Sequence, residues 1–163
     1  MNYMQRYSMI LKRGCYMEMK RVCLFMATTI LLSGCSGTRP TSLGVKDGRL
    51  SACPKSHTCV STYALDKQHR IESFKYYGLP DDAVEKLKRI ILSMKRTKIV
   101  TSTGEYIHAE FTSAIFRFVD DVEFYIDDSS KTINFRSASR MGKLDLGVNR
   151  RRMEEIRARF NTH

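Results

Sequence analysis

Apolar residues recur at a helical spacing after residue 80. Behind the stretch Leu79-Pro80-Asp81-Asp82 they return every three or four positions, as the residues of one helix face do: Ala83, Val84, Leu87, Ile90, Ile91 and Met94. A proline in the first turn followed by two carboxylates is typical of a helix N-terminus. The pattern predicts an amphipathic helix whose charged residues lie on its solvated side.

Downstream of this helix the chain shows strand patterns, either β-branched runs or a spacing of two. They occupy four segments: 97–102, 106–112, 122–126 and 133–135. In the second segment Ile107, Ala109 and Phe111 share one face. Residues 127–131 supply turn residues between the last two segments, so these two segments are predicted to form a hairpin.

The hairpin has a definite register if Asp128 and Lys131 close its turn. Apolar side chains then face each other on one side of the sheet and opposite charges on the other side: Ile126 with Ile133, Phe124 with Phe135, and Glu123 with Arg136. Two further acids come to the far end of the hairpin, close to Arg140: Asp120 opposite Ser139 and Asp121 opposite Ala138. Adjacent strand residues point to opposite faces, so the two acids share a site only if a bulge intervenes.

A last helix is predicted to begin with Asn149 as its N-cap and to bury Met153, Ile156 and Phe160. Together the elements predict an α+β fold, with an antiparallel sheet of four or five strands. One helix precedes the main hairpins, and the C-terminal helix packs on one face. At 163 residues the chain has room for one domain, which we place at residues 51–163.

Residues 19–34 have the layout of a secretory signal peptide. Lys20 and Arg21 precede an apolar run, residues 22–32, that is too short to span a bilayer of roughly 30 Å. The run leads into Leu-Ser-Gly-Cys, which resembles the lipobox of bacterial lipoproteins. This resemblance implies diacylglyceryl transfer to Cys35 and cleavage before it. The alternative is a buried apolar helix with an incidental cysteine.

The segments on either side of the signal are assigned by composition. Residues 1–18 fit no element and are interpreted as a mis-annotated upstream extension. Ser36 follows the cysteine, where an aspartate would retain a lipoprotein at the inner membrane, so we expect an outer-membrane anchor that faces the periplasm. Residues 36–50 mix Ser, Gly, Thr and Pro without periodicity. With Cys35 they are predicted to form a lipidated, flexible tether.

Charge and cysteine usage bear on the compartment and the partners. The chain has 28 basic and 17 acidic residues, and its balance stays positive from Cys35 onward. This favours anionic partners, while export argues against nucleic acid. In an oxidising compartment Cys53 and Cys59 are expected to form a disulfide. A metal site with His57 is the less favoured alternative, because a structural zinc site needs four ligands.

The first turn of the last helix breaks a local rule. Three consecutive arginines lie at the positive end of the helix dipole, where cations are disfavoured. The acids of the hairpin, or an external phosphate or carboxylate at the helix N-terminus, could compensate them. We predict a polar pocket for an anionic group, formed by Arg140, Lys143, Asn149, Arg150 and Arg152 and positioned by Asp120, Asp121 and Asp145.

Known catalytic motifs do not occur in the sequence. Gly142-Lys143 lacks the spacing and the hydroxyl residue of a P-loop, and GxSxG and HExxH are absent. His69 and His108 stand alone and are expected to be surface or structural residues. The alternative function is an envelope hydrolase or isomerase that uses Asp120 or Asp121 as acid or base. No cofactor or metal is predicted.

Three blocks of the sequence resemble one known family: Cys53-Pro54 with Cys59-Val60-Ser61, residues 118–123 (FVDDVE), and residues 137–152 (SASRMGKLDLGVNRRR). They resemble the family catalogued as domain of unknown function 1499, over most of the chain from about residue 50 onward. The resemblance implies a bacterial envelope protein, often a lipoprotein, and implies no reaction. The family often has arginine where this chain has Ala138, which puts any role of that extra guanidinium in doubt.

The sequence as a whole favours a membrane-anchored, periplasm-facing lipoprotein of unknown activity that acts as a binding or structural module. Its expected partners are the membrane, through the lipid on Cys35, and an anionic lipid or a small phosphorylated ligand. Nucleic acid is not expected as a partner.

Overall fold

The computed structural model describes residues 37–142 and 146–162. This part of the chain contains eight strands and two helices. The strands are β1 (Val45–Lys46), β2 (Arg49–Leu50), β3 (Cys59–Ser61), β4 (Phe74–Lys75), β5 (Thr97–Ser102), β6 (Tyr106–Thr112), β7 (Val119–Asp127) and β8 (Thr132–Ser139). The helices are α1 (Pro80–Ser93), between β4 and β5, and α2 (Val148–Thr162).

Six of the strands form one antiparallel sheet. Its order is β3-β8-β7-β6-β5, and β4 pairs with β8 next to β3. Both helices pack on one face of this sheet. The predicted α+β fold is confirmed. The sheet has more strands than the predicted four or five, because β3 and β4 have three and two residues and are too short to show alternation.

The core lies between the helices and the sheet. Helix α1 begins at Pro80 as predicted, and the apolar positions of its stripe pack onto the sheet. Burying each large aliphatic side chain stabilises the fold by roughly 1.5–3 kcal/mol. From the sheet, alternate positions of the three central strands complete the core: Ile107, Ala109, Phe111, Val122, Phe124, Ile126, Ile133 and Phe135.

The predicted hairpin register is confirmed at every pair from Asp120 opposite Ser139 to Ile126 opposite Ile133. No bulge interrupts β7, so its side chains alternate strictly between the two faces. Asp120 therefore lies on the side of the helices, and Asp121 lies on the opposite side. This alternation determines on which face of the sheet each of the polar clusters described below lies.

The face of the sheet that points away from the helices is polar and nevertheless buried. Asp121 is 1 % exposed, Glu123 0 % and Arg136 4 %. Apolar side chains normally occupy such positions, because a buried charge needs a partner. This face must therefore be covered by groups that satisfy the charges.

Residues 37–50 supply that cover. The Arg39 guanidinium donates to Glu110, the backbone N–H of Gly44 donates to Glu123, and Leu50 is buried. The expectation of a flexible tether is thus wrong over residues 37–50. Its mixture of Gly, Ser, Thr and Pro reflects turns and close packing on a polar surface, which show no hydrophobic periodicity.

Cys53 and Cys59 form the predicted disulfide, with their Cα atoms 5.8 Å apart. Closing a loop this short stabilises the fold by about 2 kcal/mol on the chain-entropy model. Cys59 is the first residue of β3 and pairs with Ala138 of β8. The disulfide therefore fastens the preceding loop to the edge of the sheet.

No helix within the described ranges is long and apolar enough to cross a membrane. The predicted signal peptide and Cys35 lie outside the described residues, as do Lys143 and Asp145.

Candidate functional site

A groove of about 670 Å³ lies where helix α2 begins. Its walls are the turn after α1, the end of β6 with the loop that follows, and the first turns of α2. We term it the basic groove and define it by six of its lining residues: Lys95, Arg96, Asp120, Arg151, Arg152 and Arg159.

Arg152 and Asp120 form a fixed ion pair in the basic groove. The Arg152 guanidinium donates to Oδ2 of Asp120 at 2.5 Å and lies over the ring of Phe111, 4.7 Å from its centroid. Both charged side chains are only about one-tenth exposed, so the pair is largely shielded from water. Two contacts and burial therefore hold Arg152 in one orientation.

Asn149 supports Arg152 from behind. Its amide oxygen accepts from Arg152 at 2.8 Å and from the Ser137 hydroxyl, and its amide nitrogen donates to the Thr58 carbonyl at 2.9 Å and to the Ser139 hydroxyl at 3.2 Å. Helix α2 begins at Val148, so Asn149 lies inside the first turn, and its assignment as N-cap is wrong. Its buried amide instead ties the helix to β8.

The turn after α1 carries Arg96 to the groove. Arg96 has a left-handed backbone, with φ of 58°. Its carbonyl accepts from the N–H of Thr112 at 2.9 Å, and its Nε donates to the carbonyl of Thr112 at 3.2 Å. This double contact fixes the turn to the end of β6 and keeps Lys95 and Arg96 exposed on the rim.

The basic groove carries more positive than negative charge. Arg152 is paired with Asp120, and Arg159 is paired with Glu155 at 2.6 Å. Three further cations form no ion pair with any carboxylate of the described residues: Lys95, Arg96 and Arg151. The groove is thus suited to an anion from outside the domain.

The three consecutive arginines of α2 point in three directions, because neighbouring helical residues are about 100° apart. Arg150 donates to the carbonyls of Gln68 and Arg70 at 2.9 Å each. Arg151 donates to the carbonyl of residue 146 at 2.7 Å, and of the three only Arg152 reaches a carboxylate among the described residues. Carbonyl oxygens therefore accept many of the hydrogen bonds of these arginines, whose positive charges we expected acids to compensate.

A second cluster lies on the opposite face of the sheet and is termed the Arg140 cluster. Arg140 donates to the two carboxylate oxygens of Asp121 at 2.8 and 2.7 Å and to Glu110 at 2.5 Å. His108 Nε2 lies 2.8 Å from Asp121 Oδ1. Arg39, from the covering segment, also donates to Glu110. The five side chains form one connected ion-pair network.

The network sets the charge states of its acids. Burial alone would raise the pKa of Asp121, but the hydrogen bonds from Arg140 and His108 prevail and hold that pKa below its ordinary value. Burial would likewise raise the pKa of Glu110, but the hydrogen bonds that Arg39 and Arg140 donate to it prevail and lower that pKa. The bonds to Asp121 in turn raise the pKa of Arg140. These groups are therefore fixed in their ionised forms at neutral pH.

This electrostatic arrangement bears on the alternative function. A general base must reach its substrate and accept a proton at the working pH. Asp121 is buried and has a lowered pKa, and both of its oxygens already accept from Arg140. Asp120 borders the basic groove but is occupied by Arg152. Neither carboxylate is arranged as a base.

His108, Glu110 and Asp121 also offer three potential metal ligands within 4.8 Å of one another. Both carboxylates already accept hydrogen bonds from Arg140, whose permanent charge would repel a cation at the same place. The residues therefore fit an ion-pair network better than a metal site.

A third polar group lies further along the same face. Glu123 accepts from Nη1 of Arg136 at 3.0 Å, from the Tyr106 hydroxyl at 2.9 Å and from the backbone N–H of Gly44 at 2.7 Å. Burial and the charge of Glu123 raise the pKa of Tyr106, which keeps this hydroxyl protonated as a donor. Glu123 thus joins the sheet to its covering segment.

The structure divides the predicted pocket between two faces of the sheet. It brings Asn149, Arg152 and Asp120 together at the basic groove. It pairs Arg140 with Asp121 on the other face, because successive residues of β7 alternate. Arg150 is turned towards carbonyl oxygens outside the groove.

Several residues of these clusters were missed by the sequence reasoning. His108 is structural, as expected, but it does not stand alone, because it contacts Asp121. The alternation that places Ile107 and Ala109 in the core already puts His108 and Glu110 together on the other face. Arg39 and Arg96 gave no such signal, since their positions depend on a loop and a turn.

Fold and site together define an α+β domain whose sheet carries two helices on one face and buried ion pairs on the other, with a basic groove at one end. The chain belongs to the family described as "Protein of unknown function (DUF1499)", whose model matches residues 49–160. The family membership expected from the sequence is thereby confirmed, while the envelope location that the resemblance implies stays a prediction. No curated protein matches the chain.

Proposed function

We propose that the protein is a lipoprotein, anchored to the outer membrane through Cys35 and facing the periplasm, whose domain binds an anionic group. The anchor is supported by the basic residues, the apolar run and the lipobox-like Leu-Ser-Gly-Cys at residues 19–35. The disulfide between Cys53 and Cys59 adds support, because such bonds persist in oxidising compartments.

The basic groove is the proposed binding site, and its surplus of positive charge is the observation that carries the proposal. Lys95, Arg96 and Arg151 line it without an ion-pair partner among the described residues. Guanidinium groups bind phosphate and carboxylate through parallel hydrogen bonds, and an ammonium group adds a point charge. The groove therefore fits a phosphate or carboxylate, from an anionic lipid headgroup or a small phosphorylated ligand.

The residues of the predicted pocket take different parts in this proposal. Arg152 is held by Asp120 and Asn149, and we propose that it forms a fixed part of the groove wall. Arg140 and Arg150 are engaged by internal acceptors outside the groove, and we propose a structural role for both.

Replacing Lys95 and Arg151 together with glutamine should weaken anion binding by at least about tenfold. Each hydrogen bond to a charged group contributes about 1.5–3 kcal/mol, and 1.4 kcal/mol is a factor of ten. Calorimetric titration of the full chain with glycerol 3-phosphate, and separately with vesicles containing phosphatidylglycerol, distinguishes a free phosphate from a lipid headgroup.

The matched control replaces Lys67 and Arg89 with glutamine, which removes the same charge from exposed positions outside the groove. This control should bind as the unmodified protein does. Equal weakening in both double variants would refute the groove as a site, because the effect would then be that of net charge alone.

Replacing Cys35 with serine should release the protein from the membrane, because the variant lacks the thiol that carries the lipid. Fractionation of cells that express the full chain measures this directly, with the unmodified chain as the reference. The anchor assignment fails if the variant remains in the membrane fraction at the level of the unmodified protein.

A further inference from the structure

Large apolar side chains are exposed at one end of the sheet, where β6 and β8 finish. Six of the ten exposed large apolar side chains of the described residues lie in or beside the β6–β7 and β8–α2 connections. Ile115 is 82 % exposed and Phe116 is 67 % exposed, and both belong to the β6–β7 loop. We term this region the apolar end and define it by Ile115, Phe116, Phe118, Met141, Leu146 and Val148.

The β6–β7 loop is built to present these side chains. The N–H of Ser113 donates to the carbonyl of Phe118 at 2.8 Å, and the N–H of Phe118 donates to the Ser113 hydroxyl at 2.9 Å, which closes the loop. The rings of Phe116 and Phe118 stack with centroids 5.5 Å apart. Ile115 and Phe116 are therefore exposed on a loop that its own hydrogen bonds hold closed.

The chain enters the domain at the same end. Gly37 packs so closely on Arg140 and Met141 that a Cβ atom on it would lie 2.9 Å from a side-chain atom of each. Arg140 itself donates its backbone N–H to Val119, at the start of β7. Cys35 is two residues before Gly37, a reach of at most about 7 Å. A lipid on Cys35 would therefore hold the apolar end close to the membrane surface.

The charge of this end is complementary to anionic lipids. Arg117 lies in the β6–β7 loop between the two stacked phenylalanines, and Arg96 and Arg151 line the adjoining basic groove. Residues 111–118, 139–142 and 146–152 contain no acidic residue. Exposed apolar side chains next to basic ones are the combination that binds the interface of an anionic bilayer.

We propose that the apolar end docks on the surface of an anionic phospholipid bilayer. Ile115 and Phe116 insert at the boundary between headgroups and acyl chains, and Arg117 pairs with lipid phosphates. This inference rests on the lipid anchor of the proposed function and adds an orientation to it. The basic groove, which shares Val148 with this end and includes the neighbouring Ala114, then opens beside the headgroups.

The chain contains no tryptophan, so a single substitution provides a local probe without background. The full-length lipidated protein with Phe116→Trp is reconstituted into vesicles of phosphatidylethanolamine and phosphatidylglycerol. We expect the indole emission to shift to shorter wavelength and to be quenched when the lipids carry bromine on their acyl chains. The control is Tyr77→Trp, because Tyr77 is 90 % exposed and follows β4 at the opposite end of the sheet.

The outcomes separate the docking from the anchor. If the protein sediments with the vesicles and the indole at position 116 is neither shifted nor quenched, the docking surface is refuted and the anchor stands. If the protein does not sediment, both proposals fail. A shift that depends on protein concentration in the absence of lipid overturns the docking and assigns the apolar end to a second copy of the chain.

Discussion

Replacing Arg140 with methionine should lower the free energy of unfolding by about 3–5 kcal/mol, as expected when one partner of a buried ion pair is removed. The substitution leaves Asp121 almost fully buried, with His108 as its one remaining hydrogen-bond partner among the described residues. It also removes one of the two described arginines that neutralise Glu110. Methionine keeps the unbranched shape of the arginine stem, so the loss is mainly electrostatic. Urea unfolding at neutral pH measures it.

Two variants calibrate this loss. Arg89→Met removes an exposed arginine from α1 and should change stability by no more than about 0.5 kcal/mol. Arg140→Lys retains the charge but not the parallel hydrogen bonds to Asp121, so its loss should be intermediate. If Arg140→Met proves as mild as Arg89→Met, the cluster is not structural, and Arg140 becomes available for the ligand role that the sequence suggested.

The pH dependence of the same variant follows from the lowered pKa values of Asp121 and Glu110. A carboxyl group with a lower pKa in the folded state contributes stability that is fully present above its unfolded pKa, which is about 4. That contribution is lost as the pH falls through the folded pKa. The stability difference between the unmodified protein and Arg140→Met should therefore be constant at neutral pH and decrease below about pH 4.

The elements that the sequence predicted well are those whose side chains alternate over several residues. The strands at 97–102 and 106–112 have the predicted bounds. The hairpin register followed from turn residues together with paired charges. A register error of one residue would have moved Phe124 and Phe135 to the polar face of the sheet. Strands β3 and β4 carried no such information, because strands this short are specified by their common partner β8.

The site was less predictable, because its contacts are made by segments without periodicity. The three consecutive arginines that the sequence singled out lie in the first turns of α2. The ion pair of Arg152 with Asp120 realises the internal compensation, which was one of two interpretations. The covering segment was missed, since a mixture of Gly, Ser, Thr and Pro is shared by linkers and by chains that pack through their backbone. Gly44 illustrates this: its contribution is a backbone N–H on Glu123, which no side-chain pattern reports.

Replacing Arg136 with methionine should also lower the free energy of unfolding by about 3–5 kcal/mol, because Glu123 would remain buried without its ion-pair partner. Replacing Glu123 and Arg136 together with methionine should cost less than Arg136→Met alone. Nε of Arg136 is buried and has no hydrogen-bond partner in the described part of the chain, so the pair is incompletely satisfied and its removal relieves a desolvation cost. A double-mutant cycle in urea measures the coupling between the two residues.

The cycle also tests what the buried pair does for the covering segment. The N–H of Gly44 and the Tyr106 hydroxyl both donate to Glu123, so the double variant loses this attachment even if the sheet remains stable. Amide hydrogen exchange at Gly44 should then accelerate in the double variant, while the amides of β7 and β8 keep their protection. If exchange at Gly44 is unchanged, Glu123 does not hold the segment, and the segment's other contacts, such as those of Arg39 and Leu50, are sufficient. Faster exchange there would show that Glu123 holds the segment that leads towards Cys35. An apolar pair at positions 123 and 136 could be more stable, but it could not accept these hydrogen bonds.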